Sequence, residues 1–502
     1  MKYGFLFGAG VEIGYGLPSG GKFALDIFRH DISQSKQEFK KMRDSVNTTT
    51  NYASFWLPDN FKDKNISSFG RSVFQNIISD TIGNNRNHII DKINDFDSIA
   101  TDEADKMQQE QGVNVVSNLE KILRRELSNI HMGQDIAFIP ELQDGNKLFN
   151  NSFFAAFLML YKNKDLLESN LRKELGKIIL SIIQLQIGAL GESLSHKIND
   201  SIFAKKDDEI DLFDDIGEII QLNYAASGLS GMEYLLDQKK FNDRNDEPSI
   251  IVQFAQNIME SIYASVLDYK SLIDVNWHYL YCPKSDWAKF CKICIFLLTV
   301  RDYMSSCTSK INIENESGYY HMLKNAIDKG KLDVSAVATT NYNNFISEIL
   351  KQDIIFLNGG TELWYDPYLN RIGPREKLQS PEGHIVVPLL FTQSGTKPIT
   401  SIDMSCKYVD TYRSWRESDS IIVVGFGFGS DDEHINGILR TLVDVDDKKL
   451  IVVDIEGSSK TIADKLKANK KNNVTFIQVD KQGITEAEGI SWIDAITKDN
   501  QQ

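Results

Sequence analysis

After about residue 330 the sequence alternates short apolar runs with stretches in which apolar residues recur at helical spacing. The apolar runs are VSAVATT (334–340), DIIFLN (353–358), HIVVPLL (384–390), SIIVVGF (420–426), LIVVDIE (450–456) and VTFIQVD (474–480). Such runs separated by helices are typical of βαβ units, whose parallel strands are buried on both faces. KYGFLF (2–7) has the same character, so the pattern predicts a parallel sheet that begins with this strand.

Between about residues 150 and 330 the apolar positions follow a helical period instead. One stripe steps by three and four residues through Leu167, Leu171, Leu175, Ile178, Ile182 and Leu185. This spacing predicts a helix of several turns with one buried face. The segments FFAAFLMLY, SIIVQFAQNIMESIYASVL and WAKFCKICIFLLTVRDYM have the same pattern, and the charged segments between them are interpreted as solvated loops.

Together these patterns predict one α/β domain with a Rossmann-like parallel sheet, split in sequence by a large and mostly helical insertion. We place the first strand and its glycine loop in residues 1–24, the insertion in 25–330, and the remainder of the domain in 331–502. The polar segment after about residue 25 offers no second strand. The insertion therefore stands where an ordinary dinucleotide-binding fold continues its sheet.

Composition and charge narrow the classes of function. Apolar residues at 42% and charged residues at 25% match a globular protein, and a net charge of −15 disfavours strong non-specific binding to nucleic acid. Five scattered cysteines fit a reducing compartment better than a disulfide scaffold. No apolar run approaches the roughly 18 residues of a membrane span or forms a secretory core. We therefore expect a cytoplasmic protein.

The first candidate site is the turn FGAGVEIGYGLP (7–18) after the first strand. Gly8 and Gly10 would let backbone N–H groups approach a pyrophosphate at the start of a helix. The spacing to Gly14 differs from the dinucleotide fingerprint, and a purely structural glycine turn is the alternative. Glu12 stands in the same turn, but a carboxylate beside a pyrophosphate would be repelled.

Three further strand ends carry polar or glycine-rich loops. The residues are Thr339, Thr340, Asn341 and Asn343 after one strand, Gly425, Gly427, Gly429, Ser430 and Asp431 after another, and Asp454 at the end of a third. Each has a structural alternative, such as a helix cap or an ordinary α/β loop. Because the carboxyl ends of parallel strands meet at one edge of the sheet, together they predict a dinucleotide site there.

The ordered motifs GAG…GLP, TTNY, LNGG (357–360), VGFGFGSDDEHI and IVVDIE resemble those of the sirtuin-like fold. The likeness is strongest to bacterial sirtuin-like proteins that degrade NAD in antiphage defence, and it covers about residues 1–24 and 330–485. The resemblance implies NAD as substrate, hydrolysed at the nicotinamide–ribose bond. It also implies activation by a trigger, either a phage-derived component or a companion subunit such as an ATPase. The long amphipathic helices favour a homo-oligomer.

The resemblance also assigns roles by position. Gly8, Ala9 and Gly10 would line the phosphates, Pro18 would belong to the loop over the nicotinamide, and Asn341 would hold the ribose and the attacking water. A second group of residues would complete the nucleotide site on the phosphate, ribose and adenosine sides: Thr340, Asn343, Gly425, Gly427, Ser430, Asp431 and Asp454.

The sequence departs from the family where the family has its catalytic histidine. Asn358 fills that position. An asparagine cannot accept a proton near neutral pH, so Asn358 is a secondary candidate, after Asn341, for positioning the ribose and the water. His384, at the start of the next predicted strand, is the candidate to replace the histidine; an ordinary polar residue at a strand edge is the alternative. Asn343 stands where the family often has aspartate.

The cysteine ligands of the zinc ribbon in deacetylating sirtuins are also missing. Residues 358–390 contain no cysteine, and Cys291 and Cys294 lie in a helical apolar stretch without a second pair. We therefore expect no metal site and no peptide deacetylation. Two functions remain open: an NAD hydrolase, and a regulatory or scaffolding subunit that binds NAD or ADP-ribose without cleaving it.

Overall fold

The computed structural model describes most of the chain. The described residues are 1–17, 20–70, 86–130, 147–148, 151–190, 229–236, 246–266, 270–313, 317–378, 381–390, 401–429, 432–485 and 487–499. They fall into two compact units. The first comprises Met1–Ser19, His30–Phe69 and Lys270–Gln502, and the second comprises Gly20–Arg29 and Gly70–Tyr269.

The described strands and α-helices have the following bounds. The strands are β1 Lys2–Phe7, β2 Asp333–Thr339, β3 Ile354–Phe356, β4 Gly359–Asp366, β5 Arg371–Gly373, β6 Val387–Leu390, β7 Ser420–Val424, β8 Lys449–Asp454 and β9 Val474–Gln478. The helices are α1 Gly10–Ile13, α2 Gly20–Arg29, α3 Ser33–Ser45, α4 Arg86–Asn94, α5 Phe96–Gln111, α6 Val115–Leu123, α7 Ser152–Lys162, α8 Ser169–Leu190, α9 Leu229–Leu236, α10 Glu247–Val266, α11 Lys270–Asn276, α12 Trp287–Thr308, α13 Tyr319–Asp328, α14 Phe345–Leu350, α15 Arg375–Leu378, α16 Ile402–Arg416, α17 Glu433–Asp444, α18 Ser459–Leu466 and α19 Trp492–Asp499.

The first unit is built on a six-stranded sheet in the order β3-β2-β1-β7-β8-β9. All five neighbouring pairs are parallel, and all five residues of β7 are buried, as expected for a sheet covered on both faces. Counted along the chain, this is the order of a doubly wound Rossmann-like sheet, so the predicted fold class is confirmed. The strand order reverses between β1 and β7, where open α/β sheets bind ligands.

One predicted strand does not belong to this sheet. The run 384–390 forms its strand only at Val387–Leu390, and β6 pairs antiparallel with β4 in a separate three-stranded sheet of order β5-β4-β6. The chain leaves β3 and enters β4 within two residues, with Gly359 at φ +83°. A connection this short cannot make the crossover that a parallel neighbour requires, so β4 does not continue the parallel sheet. Because β6 pairs with β4, the expectation that 384–390 continues the parallel sheet was wrong.

The described part of the second unit is helical. The stripe predicted from Leu167 to Leu185 is buried, and most of it lies on α8. Helix α10 packs against α2 and α8, and Arg29 of α2 forms an ion pair with Glu260 of α10 at 3.0 Å. Apolar side chains of these helices share one hydrophobic core, so the unit is stabilised by its own buried interior.

Candidate functional site

The glycine turns after β1 and β7 pack backbone against backbone. The Gly8 N–H donates to the Val424 carbonyl at 2.9 Å, and the Gly10 N–H donates to the Gly425 carbonyl at 3.0 Å. A Cβ at Gly8 would lie 2.4 Å from the Gly425 oxygen, and one at Gly425, where φ is +61°, would lie 2.6 Å from the Val11 nitrogen. These glycines are therefore required by the fold itself, whatever ligand lies above them.

Asn341 follows β2 and is held against the first of these turns. Its Nδ2 donates to the Gly8 carbonyl at 2.9 Å and to the Tyr320 hydroxyl at 3.1 Å, while its backbone N–H donates to Thr339 Oγ1. The ends of β1 and β2 are also joined, because the Thr340 N–H donates to the Phe7 carbonyl at 3.0 Å. The side chain of Asn341 is buried, so its orientation is set by the protein.

Glu12 lies beneath the same turn and is only 7% exposed. The Tyr320 hydroxyl donates to its Oε1 at 3.1 Å, and Asn343 Nδ2 donates to its Oε2. Burial raises the pKa of Glu12 to about 8, against the hydrogen bonds from Asn343, Tyr320 and Asn341. The carboxyl therefore holds its proton at neutral pH. Because the group is uncharged, the expected repulsion from a pyrophosphate does not arise.

Tyr320 was not predicted from the sequence. It lies in α13, where its ring stacks on Tyr15 at 5.4 Å between centroids and meets Phe7 edge to face at 5.2 Å. Its backbone N–H donates to the Tyr15 hydroxyl at 3.1 Å. The only signal available in the sequence was the aromatic pair Tyr319 and Tyr320 before β2, and nothing in that pair indicates a partner more than 300 residues away.

Asn358 follows β3 and is 3% exposed. Its Nδ2 makes one long hydrogen bond, 3.4 Å to the Thr340 carbonyl. Its Oδ1 is buried and has no hydrogen-bond partner among the described residues. A buried carbonyl oxygen without a donor is costly, and this one lies at the carboxyl end of the sheet. The described residues therefore offer this oxygen no donor.

The other predicted nucleotide-binding residues are exposed, end a strand or lie outside the described part of the chain. Ala9 is exposed beside Gly10, and Gly427 is exposed beyond Gly425. Asp454 ends β8, where its Oδ1 accepts the Ile455 N–H at 2.7 Å and burial raises its pKa. Three predicted residues lie outside the described part of the chain: Pro18, Ser430 and Asp431.

His384 lies in a different cluster. Its Nδ1 is 2.7 Å from Asp366 Oδ2 and its Nε2 is 3.1 Å from Glu382 Oε2, while its ring lies 4.2 Å from that of Tyr52. Burial lowers the pKa of His384, but the hydrogen bonds to the two carboxylates outweigh it and raise the pKa above its usual value. Among the described hydrogen bonds, none joins His384 to a residue of the glycine turns or to Asn341.

Cys291 and Cys294 are buried in α12. Burial raises the pKa of Cys291 to about 12 and that of Cys294 well above its usual value, so both remain protonated thiols near neutral pH. None of the described helices combines the length and the apolar character that a membrane span requires.

No family model and no curated protein matches the sequence. Solved structures of Sir2 proteins resemble the chain at low identity. One concerns the mechanism and regulation of Sir2 enzymes (14% identity, TM-score 0.27), and it covers 46% of this chain and 90% of its own. Another is a Sir2 mutant with a p53 peptide and NAD (14%, 0.26), covering 42% and 82%. A third is Sir2Tm bound to a propionylated peptide (13%, 0.27), covering 47% and 86%. Likenesses at this level transfer no activity to this chain.

Proposed function

We propose that this protein is a sirtuin-like NAD hydrolase that cleaves the nicotinamide–ribose bond to give nicotinamide and ADP-ribose. The observation that carries the proposal is the contact between Asn341 Nδ2 and the Gly8 carbonyl at 2.9 Å. It joins an asparagine after β2 to the glycine turn after β1, beside the point where the strand order reverses. The motif likeness and the sheet order support the same assignment independently.

Cleavage of the nicotinamide–ribose bond needs little help from a general acid. The pyridinium leaves as neutral nicotinamide, so the protein must orient the ribose, support an oxocarbenium-like transition state and hold a water near the anomeric carbon. Both hydrogens of Asn341 Nδ2 are used within the protein. Its Oδ1 is then the atom that accepts a hydrogen bond from a ribose hydroxyl or from the water.

Two further residues have roles in this proposal. The buried Oδ1 of Asn358, which has no partner among the described residues, would accept a hydroxyl of the nicotinamide ribose. Asp454, at the end of β8, would accept hydroxyls of the adenosine ribose. NAD is a substrate in this proposal, and no zinc takes part.

The test is NAD consumption by the purified protein, with products separated by chromatography, and then the same assay in extract of phage-infected cells. Asn341→Ala is expected to abolish turnover while the protein still folds. Asn344→Ala is the matched control, because Asn344 precedes α14 and its side chain makes no capping hydrogen bond. Full activity in Asn341→Ala would remove the site assignment.

A second function is favoured by Asn358, which cannot take a proton where the resembled family has a histidine. In this alternative the protein binds NAD or ADP-ribose without cleavage and acts as a regulatory or scaffolding subunit. Intact NAD in every assay, together with binding measured by calorimetry, would support it over the hydrolase.

The biological role proposed with the hydrolase is that of a triggered effector in antiphage defence. It rests on the motif likeness and on the toxicity that constant NAD loss would have for the cell. A homo-oligomer and a trigger, either phage-derived or a companion ATPase, belong to this proposal. Appearance of ADP-ribose only in extract of infected cells is the result that would support a trigger.

A further inference from the structure

A continuous chain of hydrogen bonds runs beneath the glycine turn. It passes from Asn341 Nδ2 to the Tyr320 hydroxyl at 3.1 Å, and from that hydroxyl to Glu12 Oε1 at 3.1 Å. The second carboxyl oxygen of Glu12 is occupied by Asn343 Nδ2. Every member of the chain is buried, so none of these bonds can be replaced by bulk water without cost.

We infer that Tyr320 is a positioning residue for the proposed NAD cleavage, and that its hydroxyl, held by Glu12, fixes the amide of Asn341 with Oδ1 directed at the ribose. This inference rests on the proposed function. Tyr320 itself touches neither the substrate nor the reacting atoms. It acts through Asn341.

The argument follows from the two ends of the asparagine amide. The Gly8 carbonyl accepts one hydrogen of Nδ2, and a single hydrogen bond leaves the amide free to turn about its Cα–Cβ and Cβ–Cγ bonds. The Tyr320 hydroxyl accepts the second hydrogen and thereby removes that freedom. Because a small misplacement of a group at the reacting centre costs catalysis heavily, the second bond matters more for turnover than for binding.

The tyrosine is itself rigid. Its ring is held by Tyr15 and Phe7, and these ring contacts do not involve the hydroxyl. Tyr320→Phe therefore removes one oxygen and keeps the packing. Tyr319→Phe is the matched control on the same helix, because the Tyr319 hydroxyl donates to the Asp480 carbonyl at 2.9 Å and not to the site.

The experiment compares steady-state NAD cleavage by the wild-type protein, Tyr320→Phe and Tyr319→Phe. Tyr320→Phe should lower kcat by about tenfold or more and leave KM within about twofold, while Tyr319→Phe should match the wild type. A kcat unchanged in Tyr320→Phe, or a loss that appears only as a raised KM, would overturn the inference.

A wild-type protein that cleaves no NAD under any condition would refute the proposed function and not this contact. The contact is then judged from urea denaturation midpoints of Asn341→Ala, Tyr320→Phe and the double variant. A shift in the double variant that is smaller than the sum of the two single-variant shifts supports the hydrogen bond between the two side chains. Fully additive shifts reject it.

Discussion

A Cβ atom at Gly8 would lie 2.4 Å from the carbonyl oxygen of Gly425. The two glycines follow neighbouring strands of the sheet, and each leaves room for the backbone of the other. The turn that looks like a phosphate-binding loop in the sequence is thus also the place where β1 and β7 continue their close approach beyond the last strand residues. Its glycines have a structural requirement that is independent of any ligand.

Gly8→Ala should destabilise the protein markedly. The added methyl meets a backbone oxygen, which cannot move away as a flexible side chain would, so we expect a loss of about 2–4 kcal/mol in the free energy of unfolding. Urea denaturation measures it. Gly427→Ala is the control, since nothing described lies within 4 Å of a Cβ there, and its effect should stay within about 1 kcal/mol. Equal effects of the two substitutions would contradict the packing of the turns.

Glu12→Gln should change how stability depends on pH. The pKa of Glu12 rises from its usual 4.5 to about 8 in the folded protein, so between these pH values the folded state keeps a proton that the unfolded chain has lost. The free energy of unfolding therefore falls as pH rises through this window, by about 1.4 kcal/mol for each pH unit. Below about pH 4.5 the two states hold the proton equally.

The measurement is the free energy of unfolding of wild type and Glu12→Gln at several pH values from 4 to 9. Glutamine does not titrate, and the other groups are shared, so the difference isolates Glu12. The wild type should lose stability relative to the variant as pH rises. A difference that stays constant with pH would show that Glu12 is ionised in the folded protein.

Asn358→Ala should weaken NAD binding and leave the stability of the protein nearly unchanged. Because Asn358 Oδ1 has no described partner and its Nδ2 makes only a long hydrogen bond, we expect a change in stability within about 1 kcal/mol. Affinity for NAD, measured by calorimetry, should fall by about tenfold. Asn343→Ala provides the contrast, because it breaks bonds to Glu12 and to the Phe345 N–H and should cost about 2 kcal/mol of stability. Unchanged NAD affinity in Asn358→Ala would remove Asn358 from the site.

His384→Gln should lower the free energy of unfolding, by an amount that depends on pH. The pKa of His384 is raised by its two carboxylate partners despite burial, so the stability it contributes is fully present below the pKa of the unfolded chain, about 6.5. That contribution is lost as pH rises through the higher folded pKa. The variant's deficit in unfolding free energy should therefore be larger at pH 5.5 than at pH 9. NAD turnover lost from a fully folded variant would instead support a catalytic role for His384.

Much of the parallel sheet was predictable from local patterns. The strand predicted at residues 2–7 is β1 itself, and the runs starting at 420 and 474 begin β7 and β9 at the predicted residues. This works because strands buried on both faces must be apolar throughout. The antiparallel strand β4, GGTELWYD, was not predicted, since polar residues interrupt its apolar positions. Without β4, the pairing of β6 could not be inferred.

The sequence by itself determined the six strands of the parallel sheet, its glycine turns and the polar residues that follow the strands, because periodicity and chain order govern these features directly. Only the tertiary structure decided which side chains meet. It brought Tyr320 and Glu12 together across 308 positions, gave Asn341 its partners, and placed His384 among carboxylates instead. Burial also decided that Glu12 keeps its proton. Contacts between distant segments and their desolvation depend on how elements pack, and no local pattern encodes that.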